Sequence, residues 1–458
     1  MDNQSKSMSA IVNHLKHFGF VFQSSEIYGG LANTWDYGPL GVLMINKIKQ
    51  LWWKEFIDYE VNNVGLDSKI LLNPQVWHAS GHVANFHDPV IENKINNKRY
   101  RADHLYEAVS GQSAAHISLE DMQTFIWNNI KEYEQSKTDW SPIMNFNLMF
   151  QTWQGVNQAK QNQLYLRPET AQGIFINFNN VCRALRLKLP FGIGQIGKSF
   201  RNEVTPGNFI FRTREFEQME LEYFTFSDQA ETAYQYYVEK AWNFLLKLGL
   251  KPQSLRKHHH SPEELAHYAR ATVDIEFAFC FGWNELMGIA NRGDFDLKAH
   301  NEQAYEAQKY FDPATNQFLI PAVIEPSLGV DRLLLAILTD AYEEEILANE
   351  DQRLVLRLKP ELSPYQVAVL PLVKKQAAAA QKLVQMLLRA DLQVAYDEAG
   401  SIGKRYRRQD AIGTPWVITY DYDSDQDQMV TIRERDSMQQ KRLKISEVIS
   451  YIKNQIKV

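Results

Sequence analysis

Only two cysteines, Cys182 and Cys280, occur in the 458 residues. They cannot build a disulfide framework or a four-thiolate zinc site, and a reducing cytosol is the expected compartment. No apolar run is long enough to span a membrane, and the opening MDNQSKSMSAIVNHLKHFGFVF is too polar for a secretory signal. Excess positive charge is missing as well. The net charge is -6, so any polyanion must meet a local basic patch rather than the whole surface. Internal repeats, low-complexity segments and a Gly-x-x-x-x-Gly-Lys loop are absent, and the last absence excludes a P-loop nucleotide site. What remains is ordinary for a globular chain, with 45% hydrophobic and 23% charged residues and a length that predicts two or three domains.

Residues 9–18 read as a short helix, followed by a Gly-rich turn. Pro39 stands just inside the start of a long helix in which Leu43, Ile45, Ile48, Leu51, Trp52 and Phe56 recur at near-helical spacing. That many apolar positions fit burial on more than one side, against another subunit or simply in the core. Residues 105–162 are richer in polar residues and read as an insertion, with helical pattern in LEDMQTFIWNNIKEYEQ. Residues 228–270 read as a helical insertion, capped by Gly249. VDIEFAF, at 273–279, reads as a strand of a mixed or antiparallel sheet. Two prolines in RLKPELSPYQ mark a boundary near residue 358. Beyond it, strand-like and helix-like runs alternate, which predicts a small α/β domain over 359–458.

The stretch SFRNEVTPGNFIFRTREFEQMELEYF, at 199–224, interleaves arginines, carboxylates and aromatics. Read as two strands and a turn, it places Arg201 with Glu203 on one face, and Arg212, Arg214, Phe216, Gln218 and Glu220 on one face. A guanidinium fork suits phosphate oxygens, an aromatic plate suits a base, and a carboxylate suits an amine or ammonium. These parts could hold a nucleoside triphosphate. Taken alone, they are better read as a solvated hairpin of cross-strand ion pairs.

The order of the words removes that isolation. Arg201-x-Glu203 followed by Arg212-x-x-x-Phe216-x-x-x-Glu220 resembles the second signature of class II aminoacyl-tRNA synthetases. EPSLGVDRLLLAIL resembles the third, and DYGPLGVLMINKIKQLWWKEF the first, which in that class builds the dimer interface. GGLANTWDYGPLG, GLDSKILLNPQVWHASGHVANFHDP, RYRADHL, LRPETAQGIF, GIGQIGKSFRNE, HYARATVDIEF, ANRGDFDLKAH and DEAGSIGKRYRRQDAIGTP are similar to glycyl-tRNA synthetases of the homodimeric type. The resemblance spans nearly the whole chain apart from about 110–145.

The resemblance implies an α+β catalytic domain over 1–358, an antiparallel sheet flanked by helices and carrying both insertions, followed by an anticodon-binding domain. It implies ATP, Mg2+, glycine and glycine tRNA as partners, a homodimer, and a cytoplasmic place. Glycine's carboxylate would attack the α-phosphate of ATP, and the tRNA's terminal ribose would then take the glycyl group. Arg201, Glu203 and Arg332 carry over as catalytic residues. The ATP set carries over as Arg201, Asn202, Glu203, Phe211, Arg212, Thr213, Arg214, Glu215, Phe216, Glu285, Leu286, Gly329, Val330, Asp331 and Arg332, with Glu285 as the magnesium ligand.

Glycine offers no side chain to recognise, so its site must grip the ammonium. The residues expected around it are Arg101, Glu169, Phe216, Glu217, Gln218, Met219, Glu220, Arg292, Glu325, Pro326, Ser327, Leu328 and Gly329. Among these, Arg101 and Arg292 would balance the carboxylates or reach the substrate carboxylate. Steric exclusion of larger amino acids makes an editing domain unnecessary.

In GKRYRRQD, residues Lys404, Arg405, Arg407 and Arg408 are expected to contact tRNA; a charge run alone is usually a solvated face. His78, His82 and His87 read as structural histidines, and the adjacent His258, His259 and His260 would point in different directions on a helix or a strand, a poor geometry for a shared ligand set. DYDSDQDQM, at 421–429, reads as a polar loop between strands. Many relatives have a cysteine pair near DPVIENKINNKRY; this chain has none, so no structural zinc is expected. Asn284, Met287 and Val156 also depart from the family pattern, which leaves the geometry beside Glu285 open. Rival readings are a catalytically silent relative, a synthetase for another amino acid, and a nucleotide-binding protein unrelated to tRNA.

Overall fold

The computed structural model describes residues 3, 6–114, 117–266, 268–347 and 350–456. Its largest sheet has seven strands: β1 (Val64–Gly65), β2 (Phe191–Phe200), β3 (Glu215–Thr225), β4 (Leu255–His259), β5 (Ala271–Phe279), β6 (Gly282–Gly293) and β7 (Ala322–Gly329). They lie in the order β4-β5-β6-β7-β3-β2-β1, antiparallel throughout except for the β2–β1 pair.

Alternation along these strands sorts the side chains by face. Met219 and Leu221 of β3, Ile324 and Leu328 of β7, and Met287 and Ile289 of β6 enter the main hydrophobic core. Against that face pack the helices Pro39–Trp53, Ala230–Lys247 and Val330–Ala341, through side chains such as Ile48, Trp52, Phe244 and Leu335. Each such side chain contributes about 1.5–3 kcal/mol when fully withdrawn from water. The other face is divided. Phe191, Ile193, Phe224 and Val323 join a smaller core with Phe175 and Phe178, and the remainder is polar and open.

The expected helices are present at Met8–His17 and Pro39–Trp53, the second continuing through a wider turn at Lys54–Asp58. Gly41 lets that second helix approach the chain closely, because a Cβ there would stand 2.1 Å from the Phe20 carbonyl oxygen. Gly249 follows the helix Ala230–Lys247 at φ +93, a conformation that favours glycine.

Between 201 and 214 the expected strands are absent. β2 stops at Phe200 and β3 starts at Glu215, so Arg201, Glu203, Arg212 and Arg214 lie on a loop instead of on strands. Pro206 supplies no amide hydrogen, and Asn208 and Phe209 adopt φ of 54 and 60, which takes the chain out of the ladder. Buried Phe209, Ile210 and Phe211 then pin the loop to the core.

Within 105–162, the helix Leu119–Asn129 packs with Ala102–Ser110 around Ile91, Tyr106, Ile126 and Trp140, a core of its own. Residues 228–270 hold more than a helix, since Leu255–His259 is the edge strand β4 of the main sheet. The C-terminal sheet has five strands: β8 (Val367–Pro371), β9 (Val394–Tyr396), β10 (Trp416–Tyr420), β11 (Met429–Glu434) and β12 (Gln440–Lys444). Their order is β9-β8-β10-β11-β12, with helices Ala377–Leu388, Ile402–Ala411 and Ile445–Ile456 alongside. Residues 421–429 hold a short helical turn, Ser424–Asp427, and Asp421 and Asp427 are tied down by Arg442. Among the described residues no helix is long and apolar enough to cross a membrane.

Candidate active site

The polar part of the sheet face floors a cavity of about 330 Å³. Strand parity decides which residues reach it. Phe216, Gln218 and Glu220 of β3 and Glu325, Ser327 and Gly329 of β7 line it, whereas Glu217, Met219, Pro326 and Leu328 between them do not. A bulge changes parity on β6. Ile275 pairs with Met287 and Glu276 with Glu285, so Leu286 is an extra residue, and Glu285 and Gly288 both face the cavity.

At one end of the cavity the loop 201–214 and the helix Val330–Ala341 bring arginines together. The Arg201 guanidinium lies 5.3 Å from the Phe216 ring centroid and donates Nε to the Pro168 carbonyl at 3.0 Å. Arg212 Nε is 3.9 Å from a Glu203 carboxylate oxygen. Arg332 stacks on Phe211 at 4.4 Å and donates to Glu285 Oε2 at 3.0 Å. Burial works against ionisation of Glu285, but Arg332, helped by Arg201 and His260, outweighs it and holds the carboxyl below its ordinary range. Asp274 behaves oppositely: burial and the charge of Glu285 push it up to about 6, although His260 Nε2 lies 2.7 Å from its Oδ2.

At the other end the carboxylates gather. Glu220 accepts from Thr170 N at 3.0 Å, Gln218 Nε2 at 2.9 Å, Ser327 Oγ at 2.8 Å and the Thr170 hydroxyl. Burial and the charge of Glu169 still raise it. Burial also opposes Glu169, but His82 at 3.3 Å, Arg292 and Gln172 overcome it and hold that carboxyl well below the usual range. Arg292 donates to Asp296 through Nε and Nη2, both at 2.7 Å, and to Glu325 through Nη1 at 2.8 Å. Its fork is thus committed to balancing charge. Burial nonetheless lifts Glu325 to about 8. Glu222, directly behind this group and fully buried, is pushed up by burial and by Glu325.

Of the residues expected from sequence, Glu169, Arg201, Glu203, Phe211, Arg212, Thr213, Phe216, Gln218, Glu220, Glu285, Leu286, Glu325, Ser327, Gly329, Asp331 and Arg332 line the cavity. The others do not. Arg101 is engaged by Asp88 at 3.2 Å and Asp103 at 2.5 Å. Asn202 donates its backbone N–H to Leu148 O at 2.7 Å, and the Arg214 carbonyl accepts from Arg201 N at 2.9 Å. Glu215 pairs with Lys198 and Glu217 with Lys49, each at 3.2 Å. Val330 is in the core. Asp331, although it lines the cavity, is occupied by the Tyr37 hydroxyl and by Glu217 N at 2.9 Å.

Sequence reasoning missed Asp274, His260 and Tyr268. The signal for Asp274 was a polar residue alternating with Val273 and Ile275 on a strand. Tyr268, on a loop, has no periodicity to find it by; its ring lies 3.9 Å from the Arg292 guanidinium.

The expected tRNA set also changes. Arg405 is only 4% exposed and donates to the carbonyls of Pro371 and Leu372, so it is structural. Arg407 pairs with Asp351 at 2.7 Å, Arg408 with Asp397 at 2.6 Å, and Lys404 is exposed. Among the described residues no group of three His, Cys, Asp or Glu side chains is gathered as a metal site.

Residues 366–455 match the family described as the anticodon binding domain, which marks the C-terminal part of the chain as a domain of that kind. Curated relatives cover nearly everything. The glycine–tRNA ligase of Mycoplasmopsis synoviae is 57% identical over 98% of this chain and 100% of its own length. Those of Bacillus anthracis and Geobacillus kaustophilus are 54% and 52% identical over 98% of this chain and 99% of theirs. The chain belongs to the glycine–tRNA ligase family.

Proposed function

We infer that the chain activates glycine with ATP and transfers it to the 3′ end of glycine tRNA, on a class II catalytic domain spanning 1–358. The observation that carries this reading is the polarity of one cavity, with Arg201, Arg212 and Arg332 at one end and Glu169, Glu220 and Glu325 at the other. A triphosphate suits the first end and an ammonium the second. Arg201, between Phe216 and Pro168, bridges the α-phosphate and the glycine carboxylate, which brings nucleophile and electrophile together and neutralises charge as it develops. Phe216 stacks on adenine, Glu203 accepts from its amine, and Arg212 and Arg332 hold the outer phosphate. Glu169, Glu220 and Glu325, with Ser327, receive the ammonium.

Glu285 suits a magnesium ion, since such ions take one or two protein carboxylates and complete their shell with phosphate and water. The ion supplies charge neutralisation on the phosphates. Asp274, which faces the same cavity as Glu285, is available as the second carboxylate. Lys404, Arg407 and Arg408 contact the tRNA backbone, and the tRNA partner makes the cytoplasm the place of action.

Purified protein with magnesium is expected to exchange pyrophosphate into ATP with glycine alone among the twenty amino acids. Exchange with a different amino acid would overturn the pocket assignment, and exchange with none would favour a silent relative. A homodimer is supported by the apolar loop ahead of the helix Pro39–Trp53, where Ile27 is 88% and Tyr28 86% exposed. Light scattering is expected to give twice the chain mass; the mass of a single chain would remove this part of the reading.

A further inference from the structure

The C-terminal domain is joined to the catalytic body through arginines that hardly meet solvent. Arg353 belongs to the hairpin Tyr342–Ile346/Gln352–Leu356, which follows directly on the helix carrying Arg332. Its side chain is 0% exposed, as is that of Asp410 in the last turn of the helix Ile402–Ala411. Arg353 Nε donates to Asp410 Oδ2 at 3.0 Å, and its Nη2 donates to the Arg435 carbonyl. On its own side Asp410 accepts from Arg433 at 2.8 and 3.1 Å. Arg435 in turn donates Nη2 to the Leu358 carbonyl at 2.9 Å. His14, from the first helix, donates Nε2 to the Ala411 carbonyl at 2.8 Å.

Apolar contact would hold two bodies together but allow them to slide, because it has no direction. Guanidinium–carboxylate bonds fix an angle. Buried ion pairs add little net stability over apolar packing, and their best-attested use is to select one arrangement. The junction also has a lever. The helix Val330–Ala341, about 18 Å long for its 12 residues, runs from Arg332 in the cavity to the hairpin that holds Arg353. A small tilt where the C-terminal domain docks would move the far end of a bound tRNA by a much larger distance.

We propose that Arg353 and Asp410 are positioning residues for tRNA charging, setting the pose in which the C-terminal domain presents the tRNA to the cleft; this rests on the tRNA reading above. They touch no reacting atom. Their effect is confined to RNA that spans both domains.

The test is Arg353→Met, which breaks the cross-domain bonds, together with the ion pair from Arg353 Nη1 to Glu345 at 2.9 Å within the hairpin, and leaves Asp410 with Arg433, measured in three assays on the full chain. Glycine-dependent ATP–pyrophosphate exchange and charging of a short acceptor-stem duplex should each stay within about twofold, while kcat/KM for whole glycine tRNA should fall by about tenfold or more. Arg353→Lys, which keeps the charge but not the fork, should fall between. A parallel loss in all three assays would show a merely structural role and overturn the proposal. So would unchanged charging of whole tRNA, or equal losses with the two RNAs. If Arg353→Met fails to fold, Asp410→Asn is put through the same three assays, with the same outcomes. Exchange failing in the wild type would instead remove the activation reading itself.

Discussion

Arg201→Ala is expected to lower glycine-dependent ATP–pyrophosphate exchange by roughly a thousandfold, the scale lost when a phosphate-facing arginine is removed. The melting temperature should scarcely move. Arg201 sits on a loop, is partly exposed, and its side chain contributes one hydrogen bond to Pro168 O and contacts with the Phe216 and Phe86 rings. Its removal leaves no buried charge without a partner, since the nearby acids have other arginines: Glu285 keeps Arg332, and Glu203 keeps Arg212. Exchange assays on wild type and variant, beside thermal melts, check both halves. If kcat/KM for exchange fell less than about tenfold, Arg201 would not be holding the reacting phosphate.

Arg292→Leu should behave in the opposite way, destabilising the protein by about 3–5 kcal/mol, as loss of one partner from a buried ion pair does. Asp296 and Glu325 are both buried and both take hydrogen bonds from this one guanidinium. Leucine would leave them facing Glu222 and Glu220 with nothing positive among them. The deficit should depend on pH, and the sign follows from Glu325. Its pKa is raised to about 8 even with Arg292 present, so its contribution to stability is complete below its unfolded pKa and is lost as pH rises through the folded value. Without the guanidinium the folded value lies higher still, and the variant loses more over the same rise. Denaturant melts should therefore show a smaller difference from wild type near about pH 7 than near about pH 9, where wild-type Glu325 has given up its proton and the variant's has not. A difference that is flat with pH would mean that these carboxylates are not what Arg292 holds in place.

Local pattern carried some elements of the fold and left others hidden. The helix beginning at Pro39 and the strand over 273–279 were legible because apolar periodicity and a start signal agreed. The loop 201–214 was not, because alternating charge there mimics a strand, and only the left-handed Asn208 and Phe209 reveal the break. In the site, the contiguous runs 216–220 and 325–329 could be found by motif, but the choice between neighbours needed the sheet's facing. The bulge at Leu286 shows why. Its extra residue is defined only against Ile275 and Glu276 on another strand, which no reading of β6 by itself contains. Arg405 misled for a related reason: a basic run marks charge, while burial is decided by the carbonyls of Pro371 and Leu372 above the helix.

The alternation of β3 also sets what kinds of change this stretch can accept over time. Met219 and Leu221 enter the core, while Gln218 and Glu220 face the cavity and hold its walls through Ser199 and Thr170. Two records, one chiefly of packing and one chiefly of chemistry, are thus written in alternate letters of a single segment. Length is the one thing they share. Adding or removing a single residue, unless a bulge like that at Leu286 took it up, would exchange packing and cavity positions along the strand beyond the change, so length is held more tightly here than composition.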